Sequence, residues 1–167
     1  MSRLYLLRHA KAGWAQPGTR DFDRTLDASG QADAEKMGMA MHTRGYVPDL
    51  TLCSTAVRAR QTLEGIAGHA DTGRVLFLDT LYSDDATGYL NSIREHGASR
   101  SVLVIGHNPM MEDLAVAVSG DGETEALGAL GSGFPTSGLA VIDFDGGLAK
   151  AAPGAGRLRA FLTPSGA

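Results

Sequence analysis

The sequence predicts an α/β fold with a mainly parallel central sheet and helices on both faces. Three observations carry that reading: short runs of Leu, Val and Ile recur along the chain, helical patterns lie between them, and the two alternate.

The apolar runs are "RLYLLR" (3–8), "DLTLCS" (49–54), "RVLFLD" (74–79), "SVLVIGH" (101–107) and "LAVIDFD" (139–145). Runs this short fit strands buried on both faces. A sixth, "RLRAFL" (157–162), alternates more clearly and predicts an edge strand. Among the helical patterns, "DASGQADAEKMGMAMHTRG" sets Ala34, Met37 and Met41 on one face and stops at Gly45, a C-cap. "STAVRARQTLEGIAGHA" opens on Ser54 or Thr55 as N-cap. "DDATGYLNSIREHG" and "NPMMEDLAVAVSG" complete the set, the latter with Pro109 at a permitted first-turn position. Met37, Met39, Met41, Met110 and Met111 fall at helical spacing and read as core filler. The Gly-rich stretches 119–133 and 145–156 read as loops, the first as a candidate cover for a site.

A chain of 167 residues is long enough for one domain with a sizeable core, so 1–167 reads as a single domain. A net charge of −4 offers no basic field to nucleic acid or an anionic membrane, and any anion site must be built from a few placed cations. One cysteine, Cys53, excludes an internal disulfide and a thiolate metal cluster, and its apolar flanks make it a core residue. No apolar stretch reaches membrane-spanning length, and "LYLL" follows the N-terminus with no signal-peptide pattern. The expectation is a cytoplasmic protein, for which a monomer is plausible.

In open α/β sheets, ligands bind beyond the carboxyl ends of the strands. The first run ends in Arg8 and His9, the second in Ser54 with Arg58 one helical turn later, and the fourth in Gly106, His107 and Asn108. Two histidines and two arginines would thus meet at one rim. Arginine forks match phosphoryl oxygens, and a neutral imidazole is a nucleophile poised near neutral pH. In-line attack by His9 on phosphorus would give a phosphohistidine that water hydrolyses, with Arg8, Arg58 and His107 holding the equatorial oxygens.

These stretches resemble a known family. "LYLLRHAKAGW" resembles the RHG-type motif of the histidine phosphatase superfamily, in which the histidine after an arginine is phosphorylated. "CSTAVRARQT" is similar to its second motif, with the arginine on Arg58, and "VIGHNP" to the segment bearing the second histidine, on His107. "DFDRTLDASG" (21–30) and "FPTSGLAVIDFD" (134–145) narrow the resemblance to SixA-type phosphohistidine phosphatases. The resemblance covers Leu4 to about Pro164. It implies a three-layer, phosphoglycerate mutase-like fold, a covalent phosphohistidine intermediate, no metal and no organic cofactor. It also implies that Arg24 lies near the phosphate or the pocket rim. Ala10 stands in place of the motif's glycine, which is tolerable if φ is negative there. Thr55 stands where proline often follows the serine.

Relatives that cleave phosphate esters use an acid to protonate the leaving alkoxide. The acids past the third strand are Asp79, Asp84 and Asp85, and Asp84 and Asp85 read better as caps of the helix starting near Thr87. An imidazole leaving group, titrating at about 6.5, needs little such help. With no inserted cap domain in the chain, the partner expected is a phosphohistidine protein. The alternatives are a phosphatase for small phosphate esters, a mutase, and a phosphate-binding module that has lost turnover. A metal on His9 and His107 is disfavoured by the flanking arginines and the lack of an adjacent carboxylate. His42, His69 and His96 read as surface or helix-end groups. Trp14 reads either as a plug under the site or as a substrate contact.

Overall fold

A computed structural model describes residues 1–166. Seven strands form one sheet: β1 (Ser2–Arg8), β2 (Leu50–Ser54), β3 (Arg74–Leu78), β4 (Ser101–Gly106), β5 (Ser119–Gly122), β6 (Leu139–Phe144) and β7 (Gly156–Leu162). Their spatial order is β3-β2-β4-β1-β6-β7-β5. The β3, β2, β4 and β1 neighbours pair in parallel. Strand β6 runs antiparallel to both β1 and β7, and β5 pairs in parallel with β7.

Alternation along the strands splits the core into two layers. Leu4, Leu6, Val102, Val104, Ala140 and Ile142 face one side, while Tyr5, Leu7, Leu103, Ile105, Leu139 and Val141 face the other. Helices α1 (Ala28–Arg44) and α2 (Val57–Ala67) cover the second face through Met37, Met41, Ala59, Leu63 and Ile66. The first face is covered by α3 (Thr80–Ser83), α4 (Ala86–Glu95), α5 (Met110–Val118) and α6 (Thr124–Gly131). Helix α1 starts on the Asp27 carboxylate, which accepts from the Gly30 N–H at 2.7 Å, and ends on Gly45 at φ 70°. Asp85 caps α4 in the same way, accepting from the Gly88 N–H.

Several expectations need correction. The stretch 119–133 is not a loop over a site: it supplies β5 and α6, and α6 lies against β7. For that reason β7 is an inner strand, with β5 taking the edge. At the other edge, β3 is only partly covered, and Phe77 is 45% exposed beneath the Arg60 guanidinium. Neither Ser54 nor Thr55 is the N-cap of α2; Ala56 holds that position. Asp84 ends α3 rather than capping α4. Met39 is 47% exposed, so it is not core filler.

The register is what builds the site. Arg8 pairs with Gly106, so the next residue of each strand, His9 and His107, emerges side by side at adjacent carboxyl ends. Gly106 is required there because a Cβ would stand 2.7 Å from the Tyr89 hydroxyl oxygen. That hydroxyl accepts from the His107 N–H at 3.1 Å and donates to the Leu81 carbonyl. Gly106→Ala should therefore cost about 1–3 kcal/mol by overpacking, read as a lower urea midpoint, and should shift the His107 imidazole resonances.

Candidate active site

His9 and His107 lie with ring centroids 5.0 Å apart, at 8% and 5% exposure. The His9 N–H donates to the Gly106 carbonyl, fixing the first residue past β1. His9 Nδ1 lies 2.7 Å from the Ala10 carbonyl oxygen. A carbonyl can only accept, so Nδ1 carries the proton and Nε2 carries the lone pair. The Arg58 Nε–H points at that lone pair from 3.4 Å. Ala10 is fully buried and its φ is not positive, so its methyl is accommodated in place of glycine. Its N–H donates to Thr62 Oγ1 at 2.9 Å, and that hydroxyl donates to the Arg58 carbonyl.

His107 Nε2 meets Ser54 Oγ at 2.8 Å. Ser54 is buried, and among the described residues its hydroxyl has no acceptor other than Nε2, so its proton goes to Nε2 and leaves the His107 proton on Nδ1. Buried Nδ1 has no partner among the described residues, and neither has the Nε of Arg8. Unmet buried donors are costly, and two beside one site suit an anion. Arg8 Nη1 donates to the Phe134 carbonyl at 2.9 Å, which also accepts from Asn108 Nδ2. The turn bearing Phe134 binds back to β1: the Ser137 N–H reaches the carbonyls of Arg8 and His9, and the Arg8 N–H donates to the Gly138 carbonyl.

Asp21 ties Arg58 to Arg24. Arg58 is buried, its Nη1 donating to the Asp21 carbonyl at 2.7 Å and its Nη2 to the Asp21 carboxylate at 3.1 Å. Arg24 Nε holds the same carboxylate at 2.9 Å, and its Nη1 reaches the Gly13 carbonyl. The Tyr82 hydroxyl donates to Asp21 at 2.9 Å, and its ring meets that of His107 edge-on at 5.5 Å.

Of the residues expected from sequence, His9, His107 and Arg58 converge directly. Arg8 lies close enough for its charge to act on His9, although its guanidinium is anchored on Phe134. Arg24 stands at the rim through Asp21. Asp79 accepts from the Thr55 hydroxyl at 2.6 Å, while Asp84 and Asp85 sit at helix ends. Trp14 is 94% exposed, so it is no plug. Asp21, Tyr82, Tyr89, Thr62 and the Ser54 hydroxyl were missed. Only Thr62, one turn after Arg58, and Asp21, three residues before Arg24, carried any sequence signal.

Burial lowers both imidazoles. His9 is brought to about 4, with Arg58 and Arg8 adding to the effect against the Ala10 hydrogen bond. His107 is brought to about 3, with His9 and Arg58 adding to burial. Burial works to raise Asp21, but Tyr82, Arg24 and Arg58 outweigh it and hold it at about 2. Cys53 lies inside β2, where burial pushes its thiol to about 12, an inert core group. Among the described residues, no three His, Cys, Asp or Glu side chains are grouped to hold a metal ion. No helix among them is long and apolar enough to cross a membrane.

The family model of the histidine phosphatase superfamily (branch 1) matches residues 4–81. The fold also superposes on that of SixA, a candidate phosphohistidine phosphatase from Agrobacterium tumefaciens. The TM-score is 0.84 and the identity 43%, over 98% of each chain. The chain belongs to the histidine phosphatase superfamily. An uncharacterized Mycobacterium tuberculosis protein is 34% identical over 95% of this chain and 99% of its own length. An uncharacterized chloroplastic protein of Arabidopsis thaliana is 33% identical over 71% of this chain, and that match spans 59% of the plant protein. The SixA-like architecture and the family together make the chain a phosphatase of this superfamily.

Both histidines bind protons less readily in the fold than in the unfolded chain, where imidazole titrates near 6.5. Between about pH 4 and pH 6.5 the unfolded chain therefore holds more protons, and stability rises with pH across that window. Unfolding free energy from urea titration should drop by on the order of a few kcal/mol between about pH 7 and about pH 4.5. The His9→Asn/His107→Asn double variant should lose most of that slope.

Proposed function

We propose that the chain is a single-domain phosphohistidine phosphatase that works through a covalent intermediate on His9. The observation that carries this reading is the fixed tautomer of His9: Nδ1 is committed to the Ala10 carbonyl, and the Nε2 lone pair faces the Arg58 Nε–H at 3.4 Å. A neutral imidazole held this way is a nucleophile at neutral pH without a separate base.

In the first step the Nε2 lone pair attacks phosphorus in line, the His9–phosphorus bond forms, and the bond to the leaving group breaks. Arg58, the His107 Nδ1–H and Arg8 take the oxygens on which charge spreads, Arg8 through its unmet Nε–H. In the second step water attacks the phosphohistidine, the phosphorus–Nε2 bond breaks, and inorganic phosphate leaves with His9 neutral again. Nothing in this sequence routes through a metal or an organic cofactor.

The acids around the site bear on the leaving group. Asp21 is the carboxylate nearest Arg58, and it is held ionised by Tyr82, Arg24 and Arg58, so it offers no proton at neutral pH. Asp79 is turned to Thr55. An alkoxide leaving group would lack a donor, whereas a phosphohistidine protonated on its other ring nitrogen releases a neutral imidazole without an acid from the enzyme. This supports a phosphoprotein with phosphohistidine as substrate over a small phosphate ester, and the role proposed for the chain is phosphotransfer signalling in the cytoplasm. The relative from Agrobacterium tumefaciens, described as a candidate phosphohistidine phosphatase, agrees with that substrate.

Rapid quench with radiolabelled substrate should trap an acid-labile, alkali-stable label on His9, and His9→Ala should abolish both label and turnover. Full activity in that variant would remove the covalent step. Under matched conditions, phosphate release from a phosphohistidine protein should exceed release from phosphoserine or a sugar phosphate. A clear preference for the esters would put the small-ester reading first.

A further inference from the structure

The Nε–H and Nη2–H of an arginine lie along one edge, the edge that grips two oxygens of a carboxylate or phosphoryl group. In Arg58 that edge is already engaged. Nε points to His9 Nε2 at 3.4 Å, and Nη2 points to Asp21 Oδ2 at 3.1 Å. A carboxylate oxygen therefore stands one prong away from the nucleophilic nitrogen, where an oxygen of a phosphoryl group under attack has to sit. The same oxygen takes the Tyr82 hydroxyl at 2.9 Å, and its companion Oδ1 takes Arg24 Nε at 2.9 Å. Two cations and a phenol thus converge on an anion that the chain itself supplies.

We propose that the Asp21 carboxylate is an internal occupant of the phosphoryl site, displaced by the substrate phosphoryl group and returning to expel product phosphate. This rests on the reading of the cradle as a phosphoryl site given above. A dianion and a carboxylate cannot share one guanidinium edge without strong repulsion, so one of them has to leave. Asp21 is free to do so: it opens a three-residue 3-10 turn, Asp21–Asp23, and its side chain is exposed on the solvent side. The cradle does not collapse when it goes. Arg58 Nη1 stays on the Asp21 backbone carbonyl or turns to phosphate, and Arg24 Nη1 keeps the Gly13 carbonyl. Asp21 thereby sets a threshold. A phosphoryl group that reacts with His9 gains more from the arginines than the carboxylate does, while free phosphate competes with a tethered anion at high local concentration.

The test is the affinity for inorganic phosphate, measured by calorimetry on the whole protein. Asp21→Asn keeps the side-chain size and removes the charge, and Asp21→Ala removes the acceptor as well. Both should bind phosphate about tenfold more tightly than the parent, and product inhibition should tighten in step. If Asp21 only orders Arg58 and Arg24, both variants will bind phosphate equally or more weakly and KM will rise, which overturns the inference. That outcome with a His9-labelled, active parent leaves the phosphatase reading standing. Failure of all three proteins to bind phosphate, with His9 unlabelled, would remove the cradle itself and the inference with it.

Discussion

Two imidazoles 5.0 Å apart, beside arginines and almost wholly out of water, can share one end of a sheet only as neutral rings. A positive charge on either would face the other ring, Arg58 and a low-dielectric surround together. Neutrality in turn forces a choice of tautomer, and the surrounding chain makes it. The Ala10 carbonyl takes the His9 proton, while the Ser54 hydroxyl supplies one to His107. The free lone pair on His9 and the free N–H on His107 are consequences of burial plus two hydrogen bonds. On the proposed mechanism they are a nucleophile and an oxyanion donor, generated without any carboxylate to orient either ring.

That arrangement needs a rigid frame, because the reacting atoms sit just past strand ends where the ladder stops. Three supports replace the missing sheet pairing. Thr62 bridges α2 to the Ala10 N–H, so the His9 backbone moves with the helix that carries Arg58. Tyr89 reaches from α4 to hold the His107 N–H. The turn before β6 bonds the backbone of Arg8 and His9 through the Ser137 N–H, which addresses both carbonyls. Each support comes from a different element, so helices on both faces of the sheet fix the two histidines relative to each other.

How much of this was legible in the sequence follows from what kind of information each feature needs. Strands β1, β2 and β4 were readable because apolar runs end abruptly on reactive residues, and a parallel sheet collects its strand ends. The convergence of His9, His107 and Arg58 followed from that alone. The segment forming β5 and α6 was not readable, because its Gly-rich pattern has little period of its own and its strand exists through pairing with β7. Ser54 or Thr55 reads as a helix cap because a hydroxyl residue before a helix usually is one; here the Ser54 hydroxyl serves both His107 and the Ala56 N–H, and Ala56, with no side-chain cap bond, takes the N-cap position. Asp21 lies within the 21–30 motif without a role legible in the sequence, since its contacts with Arg58 and Tyr82 arise only when the loop folds over the site.

Asp21 also bears on the leaving group. An enzyme that protonates an alkoxide keeps a carboxylic acid near neutrality by burying it away from cations. The environment of Asp21 does the reverse: two guanidiniums and a phenol stabilise its charge, against the pull of partial burial. A carboxylate built this way is useful as an anion and useless as an acid. A site whose Arg58-bound carboxylate is held as an anion gains nothing from it on substrates that need a proton, and loses nothing on those whose leaving group is already a weak base. The P–N bond of a phosphohistidine is of the second kind, and the same carboxylate that fails as a donor is the group proposed to clear phosphate from the cradle.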